Sequence, residues 1–253
     1  MTTIAQFQKR LFAEYKGSLS LPLRYSYISG VDVEALVPID THQGGVFLLG
    51  AYPSARFAAV PPERDVPVAD NCGPFSTERY YDGSRVRTVD SGEELEKGYL
   101  RPLGLDRTQC WITDLVRVFL FKDRHLDKYR RLGCDWPGRE TRTLFEQFAV
   151  EGMHWLEEEL RVAEPKVVIT LGAEVAGILQ GVKGSLERNS LLSGQVRSIS
   201  LGGFTYRTIH LAHPGIVMRP STSRNPWPKR HRTLHIPRAR KELETLRIVR
   251  SGG

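Results

Sequence analysis

Val46-Phe47-Leu48-Leu49-Gly50-Ala51-Tyr52-Pro53-Ser54 is the stretch from which the rest of the chain is best understood. Four apolar residues run without a polar break into Gly50, and Pro53 lies three positions later. An unbroken apolar run of this length reads as a strand buried on both faces, as in a parallel sheet. Gly50 lets the backbone turn sharply or approach a ligand closely, and Pro53 stiffens the loop beyond it. In open α/β sheets, ligands bind beyond the carboxyl ends of the strands. The Gly-x-x-Pro loop is therefore a candidate site, with a plain strand-to-helix turn as the simpler alternative.

Three further segments repeat the design. Cys110-Trp111-Ile112-Thr113-Asp114 is a strand ending in an acid. Pro165-Lys166-Val167-Val168-Ile169-Thr170-Leu171-Gly172-Ala173 is a strand running into a helix. Thr208-Ile209-His210-Leu211-Ala212-His213-Pro214-Gly215 is a strand ending in a His-Pro loop. In this order, over roughly Val46 to Arg224, the four segments resemble the uracil-DNA glycosylase superfamily. The resemblance implies a single such domain over 1–253. A helical arm covers about 1–40, and a basic helix about 225–250.

Charge agrees with a nucleic-acid partner. The 253 residues carry a net charge of +7. Arg219, Arg224, Lys229, Arg230, Arg232, Arg238, Arg240 and Lys241 crowd the C-terminal segment. Clustered cations are the footprint expected for a polyanion, with a merely solvated basic face as the alternative. Hydrophobic content of 40% suits a globular chain long enough to bury a sizeable core. No apolar run reaches membrane-spanning length, so no membrane partner is expected. Met1 to Lys16 lacks the apolar centre of a signal peptide, which points to the cytoplasm. A monomer is expected.

Cys72, Cys110 and Cys134 are too few and too far apart for a disulfide framework or a zinc site. They also cannot supply the four-Cys iron–sulfur set of some superfamily members. No metal and no cofactor are expected.

Alternating strands and helices predict an α/β fold, a three-layer α/β/α sandwich with a mostly parallel central sheet. Residues 2–16 read as an amphipathic helix with Ile4, Phe7, Leu11, Phe12 and Tyr15 on one face. After Pro53 a long loop runs through the Pro-rich Val60 to Asp70 and on past Tyr80, Tyr81, Arg85 and Arg87. So long a loop in a compact domain is usually functional. A helix from Ser91 to about Leu103 stops at Gly104. Phe119 to Arg139 reads as charged and irregular, and Arg142 to Val162 as one long helix. Ala173 to Leu179 is a short helix. Gln195–Ser200 and Tyr206–Leu211 form a hairpin around Gly202-Gly203. A last helix is expected from about Pro237 to Val249.

The resemblance also assigns roles. His213, in the His-Pro loop, would donate to the carbonyl oxygen on which the departing base gathers charge. A His satisfied by backbone is the alternative. His210, three residues earlier, reads as structural. Asp114 stands where the superfamily commonly has the Asn that reads uracil. An ionised Asp only accepts, which suits an amino-bearing base, whereas a protonated Asp could mimic Asn. It could also be a helix N-cap. Phe75, in Gly73-Pro74-Phe75, resembles the element that stacks on the flipped base.

Gly50, Ala51 and Tyr52 occupy the loop where relatives often carry a water-positioning carboxylate, and neither Ala51 nor Tyr52 is one. Asp70, Glu78, Asp82 and Asp90 are the substitutes the long loop offers. Pro214, Gly215, Val217 and Met218 resemble the loop that enters the minor groove, with Val217 as the wedge. Pro53, Ser54, Arg219, Ser221 and Arg224 are the residues assigned to phosphates. The expected activity is monofunctional, water-dependent excision of uracil or a modified pyrimidine flipped out of DNA. A non-catalytic DNA-binding module on the same fold, or a nucleoside or nucleotide N-glycoside hydrolase, is the alternative.

Overall fold

A computed structural model describes residues 2–21, 32–53, 73–82, 84–133 and 141–250. Ser54, Asp70, Cys72, Cys134 and the Pro-rich Val60 to Asp70 lie outside the described residues.

The central sheet has five strands. In chain order they are β1 (Val46–Gly50), β4 (Cys110–Asp114), β5 (Val167–Leu171), β6 (Val196–Leu201) and β7 (Phe204–Leu211), and their spatial order is β4-β1-β5-β7-β6. β2 (Glu78–Tyr81) and β3 (Val86–Val89) form a separate antiparallel pair. The four strands β4, β1, β5 and β7 run parallel, and β6 closes one edge antiparallel to β7. All residues of β1, β4 and β5 are buried, as the unbroken apolar runs require.

Alternation then divides the core in two. Phe47 and Leu49 face one cluster, with Phe7, Leu11, Tyr15, Phe148, Trp155 and Leu160 from α1 (Ile4–Ser18), α5 (Phe145–Glu151) and α6 (Met153–Ala163). Val46 and Leu48 face the other, with Leu95, Leu100, Leu103, Ala239 and Leu243. These come from α2 (Ser91–Leu95), α3 (Arg101–Leu103), the π-helical turn Glu96–Leu100 between them, and α11 (Ile236–Thr245). Helices therefore cover both faces of the sheet, and the fold is the expected three-layer α/β type.

The remaining helices are α4 (Asp123–Arg131), α7 (Ala173–Gln180), α8 (Ser185–Leu191), α9 (Pro214–Val217) and α10 (Trp227–Arg230). Several differ from the sequence reading. α1 is part of the core rather than a loose arm, but Phe12 falls off its buried face and is 51% exposed. The polar loop contains the β2–β3 hairpin. The stretch Phe119 to Arg139 contains α4, whose buried His125 and Tyr129 pack beside Phe119 and Phe121. The long helix expected from Arg142 is broken at Gly152 into α5 and α6. α8 was not foreseen, and the C-terminal helical run starts earlier, at Trp227, and ends at Thr245. The Gly202-Gly203 hairpin is as expected, with both glycines at positive φ.

One polar network lies inside the core. The guanidinium of the fully buried Arg117 reaches Glu159 and Thr113. Trp111 Nε1 donates to the other Glu159 oxygen at 2.7 Å, and the Arg117 amide donates to the Tyr15 hydroxyl at 2.9 Å. This ties the turn after β4 to α1 and α6.

Candidate active site

The parallel strands bring the ends of β1 and β4 together. Gly50 and Asp114 are register partners, and the pairing continues past the strands, Leu115 N donating to Gly50 O and Val116 N to Ala51 O. No helix starts at Asp114: the next one is α4, at Asp123. The N-cap alternative for Asp114 is therefore excluded. Asp114 is instead buried, 2% exposed, with Oδ1 lacking any hydrogen-bond partner. Burial pushes its carboxyl up to about 7, Arg117 opposing and Glu159 adding to the shift. At neutral pH it is divided between an acid that can donate and a carboxylate that only accepts.

Asp114 lines a cavity of about 240 Å³ at this end of the sheet, together with Tyr52, Pro53, Phe75 and His213. Phe75 reaches it in an unusual backbone state, φ 55°, from the turn before β2. Arg107 holds that turn: its guanidinium donates to Phe75 O at 2.6 Å while pairing with Asp40 and Glu96. The ring lies against Gly50, where a β-carbon would come within 2.6 Å of Cε2. Gly50 is thus needed for the close approach of both Phe75 and Asp114.

His213 is the N-cap of α9. Gly215 N–H donates to its Nδ1 at 3.0 Å, so Nδ1 is an acceptor and the neutral ring carries its proton on Nε2. Burial lowers its pKa, with Glu174 opposing and Arg142, Lys122 and Arg219 assisting. The ring is a neutral donor at physiological pH. Pro214 at the first helical position suits the start of α9. His210 is buried between Thr170, whose Oγ1 is 2.8 Å from Nδ1, and Gln180.

Other assigned residues are not in the cavity. Ala51 is buried behind it, and Val217 is buried in the core at 7% exposure. Val217 is therefore not an exposed wedge: the turn of α9 points it inward and leaves Ile216 and Met218 outside, 41% and 44% exposed. Arg219, Ser221 and Arg224 are exposed on the chain leaving α9. Of the substitute acids, Glu78 and Asp90 line the cavity, joined by Glu94, which the sequence reading missed. Asp82 instead caps the hairpin turn, accepting from Ser84 and Arg85 and pairing with Arg87. Glu78 also accepts from Ser76 Oγ at 2.6 Å.

The family model of the uracil DNA glycosylase superfamily matches residues 41–235, the span that carries every one of these features. The chain belongs to this superfamily. A search of curated proteins found no match to the chain. Membership associates the site with DNA glycosylase chemistry, and no helix among the described residues is long and apolar enough to cross a membrane. Two departures from the superfamily pattern are specific to this chain: Asp114 at the base-reading position, and the absence of a carboxylate at Ala51 and Tyr52.

Proposed function

We propose that the protein is a monofunctional DNA glycosylase that excises uracil or a modified pyrimidine flipped out of DNA. The observation that carries this is one cavity lined by an aromatic ring, a buried unpaired acid and a neutral histidine donor, Phe75, Asp114 and His213. An aromatic face stacks a base, and stacking contributes about 1–3 kcal/mol. Asp114 meets the edge of the base. His213 Nε2–H meets the oxygen that gains charge as the N-glycosidic bond breaks. Water adds to C1′, the bonding pair leaves with the base, and the water's proton passes to a carboxylate. Glu78, Asp90 and Glu94 are the acids at hand, replacing the missing loop carboxylate. No Lys lines the cavity among the described residues, so no Schiff-base lyase step is expected. The protein acts as a monomer and needs no metal or cofactor.

The test is incubation with oligonucleotides carrying one modified base each, followed by alkaline cleavage of abasic sites. Cleavage at one class of pyrimidine supports the reading. Tight DNA binding with no cleavage of any base would leave a non-catalytic module, and release of a base from free nucleosides alone would leave a nucleoside hydrolase.

A further inference from the structure

Tyr52, Pro53 and His213 line a second cavity as well as the first, so they form a wall between the two. The second cavity measures about 500 Å³. The two differ in charge. Among the described residues, the base cavity carries the acids Asp114, Glu78, Asp90 and Glu94 and no Lys or Arg. The second carries Lys122, Arg124 and Arg142, with Glu174 as its acid. Glu174 is already paired with Arg142, whose guanidinium also lies 5.3 Å from the centre of the Tyr52 ring. Lys122 and Arg124 make no ion pair among the described residues.

These cations crowd one another. The Lys122 ammonium is held below its ordinary pKa by burial and then by Arg124, Arg142 and Arg219. Like charges converging on a cavity are relieved by an anion. Their support is rigid. Phe119 packs on Phe121 and His125 at the start of α4, and the Lys122 amide donates to His125 Nδ1 at 3.2 Å. His125 adds no charge, since burial lowers its pKa to about 4.

We propose that this cavity holds a phosphate of the DNA strand carrying the flipped nucleotide, with Lys122 and Arg124 as its ligands and Arg142 fixed beside them. This rests on the reading of the protein as a DNA glycosylase. The polarity across the Tyr52–His213 wall sets the strand's orientation: phosphate on the cationic side, base on the acidic side.

The test uses Lys122→Ala/Arg124→Ala against a charge-matched control, Arg161→Ala/Lys166→Ala. Lys166 immediately precedes β5, at the opposite end of the sheet. The probe is a duplex with a stable abasic analogue and a single methylphosphonate placed in turn at each flanking linkage. The neutral linkage should lower wild-type affinity about tenfold at one position. The cavity variant should show that loss on ordinary DNA and lose nothing further from that linkage. Its log–log salt slope should fall by about 1–2, one per phosphate contact. A cavity variant indistinguishable from the control overturns the proposal while leaving the DNA reading intact. A second arm titrates thymidine 5′-monophosphate and inorganic phosphate. If these bind the wild type, not the cavity variant, and the DNA slope is unchanged, the cavity serves a free phosphate and the strand assignment is overturned. No DNA binding by the wild type at low salt overturns the DNA reading itself.

Discussion

Gly50 and Asp114 stand side by side at the carboxyl ends of adjacent parallel strands, and Asp114 Oδ1 fills the space that a side chain at position 50 would need. The missing β-carbon is what lets the buried acid and the Phe75 ring share one cavity.

Gly50→Ala should therefore close the base cavity. The added methyl meets Asp114 Oδ1 and Phe75 at distances that real contacts do not show. Overpacking of this kind typically costs about 1–3 kcal/mol. Thermal denaturation should show that loss with the fold retained, and single-turnover excision should fall below detection. Unchanged excision would show that the base is bound elsewhere.

The pH dependence should separate substrates. With the Asp114 carboxyl at about 7, the protonated acid that can donate to uracil O4 declines as pH rises. Uracil excision should then drop by up to about tenfold per pH unit above neutrality. An amino-bearing pyrimidine needs the ionised form, and its excision should rise to a plateau above neutrality. Parallel profiles for both bases would remove Asp114 as the reader.

Asp114→Asn should make uracil excision independent of pH through this range. It should also stabilise the fold at neutral and higher pH. The folded-state pKa is raised from 3.8 to about 7, so the native chain holds a proton that the unfolded chain releases. That group's contribution is fully present below pH 3.8 and is lost as pH rises through about 7. At about 1.4 kcal/mol per unit, the loss is up to about 4 kcal/mol. Urea melts of both proteins at pH 5 and pH 8 measure it. A difference that does not grow with pH contradicts the assignment.

His213→Ala should lower excision by about 10²–10³-fold, the scale of one preorganised donor, with DNA affinity little changed. Because burial holds the ring neutral, the wild-type rate should not decline through loss of this donor between pH 8 and 6.5. Equal losses in rate and affinity would instead mark His213 as structural.

Glu159→Ala should destabilise the protein by about 3–5 kcal/mol, because it strands the buried Arg117 guanidinium without its partner. Chemical denaturation reads this directly. A loss under 1 kcal/mol would show that water or a rearranged side chain satisfies Arg117.

The strands were legible in the chain because their residues depend on local pattern. Runs such as Val46–Leu49 and Val167–Leu171 can be satisfied only between two helical layers, so their burial and parallel pairing follow from composition and order. Gly104, Gly181 and the Gly202-Gly203 turn announced their boundaries for the same reason, each taking a positive φ that other residues avoid. The helices around Phe119 and Gly152 were less legible. α4 is strongly charged, and its place is set by His125 and Tyr129 packing on Phe119 and Phe121 rather than by an apolar stripe. Val217 was misjudged because its side-chain direction depends on how α9 turns after His213.

The sequence alone determined the kind of sheet, the order of its four motif-bearing strands, and the presence of Gly50, Asp114 and His213 at their carboxyl ends, since these rest on hydrophobic periodicity and on residues adjacent in the chain. Only the tertiary structure decided that Asp114 is a buried, unpaired acid titrating near neutrality, that Glu94 joins Glu78 and Asp90 at the cavity, and that Lys122, Arg124 and Arg142 gather behind the Tyr52–His213 wall. Burial, charge and distance between residues far apart in the chain arise from packing, and periodicity carries no record of them.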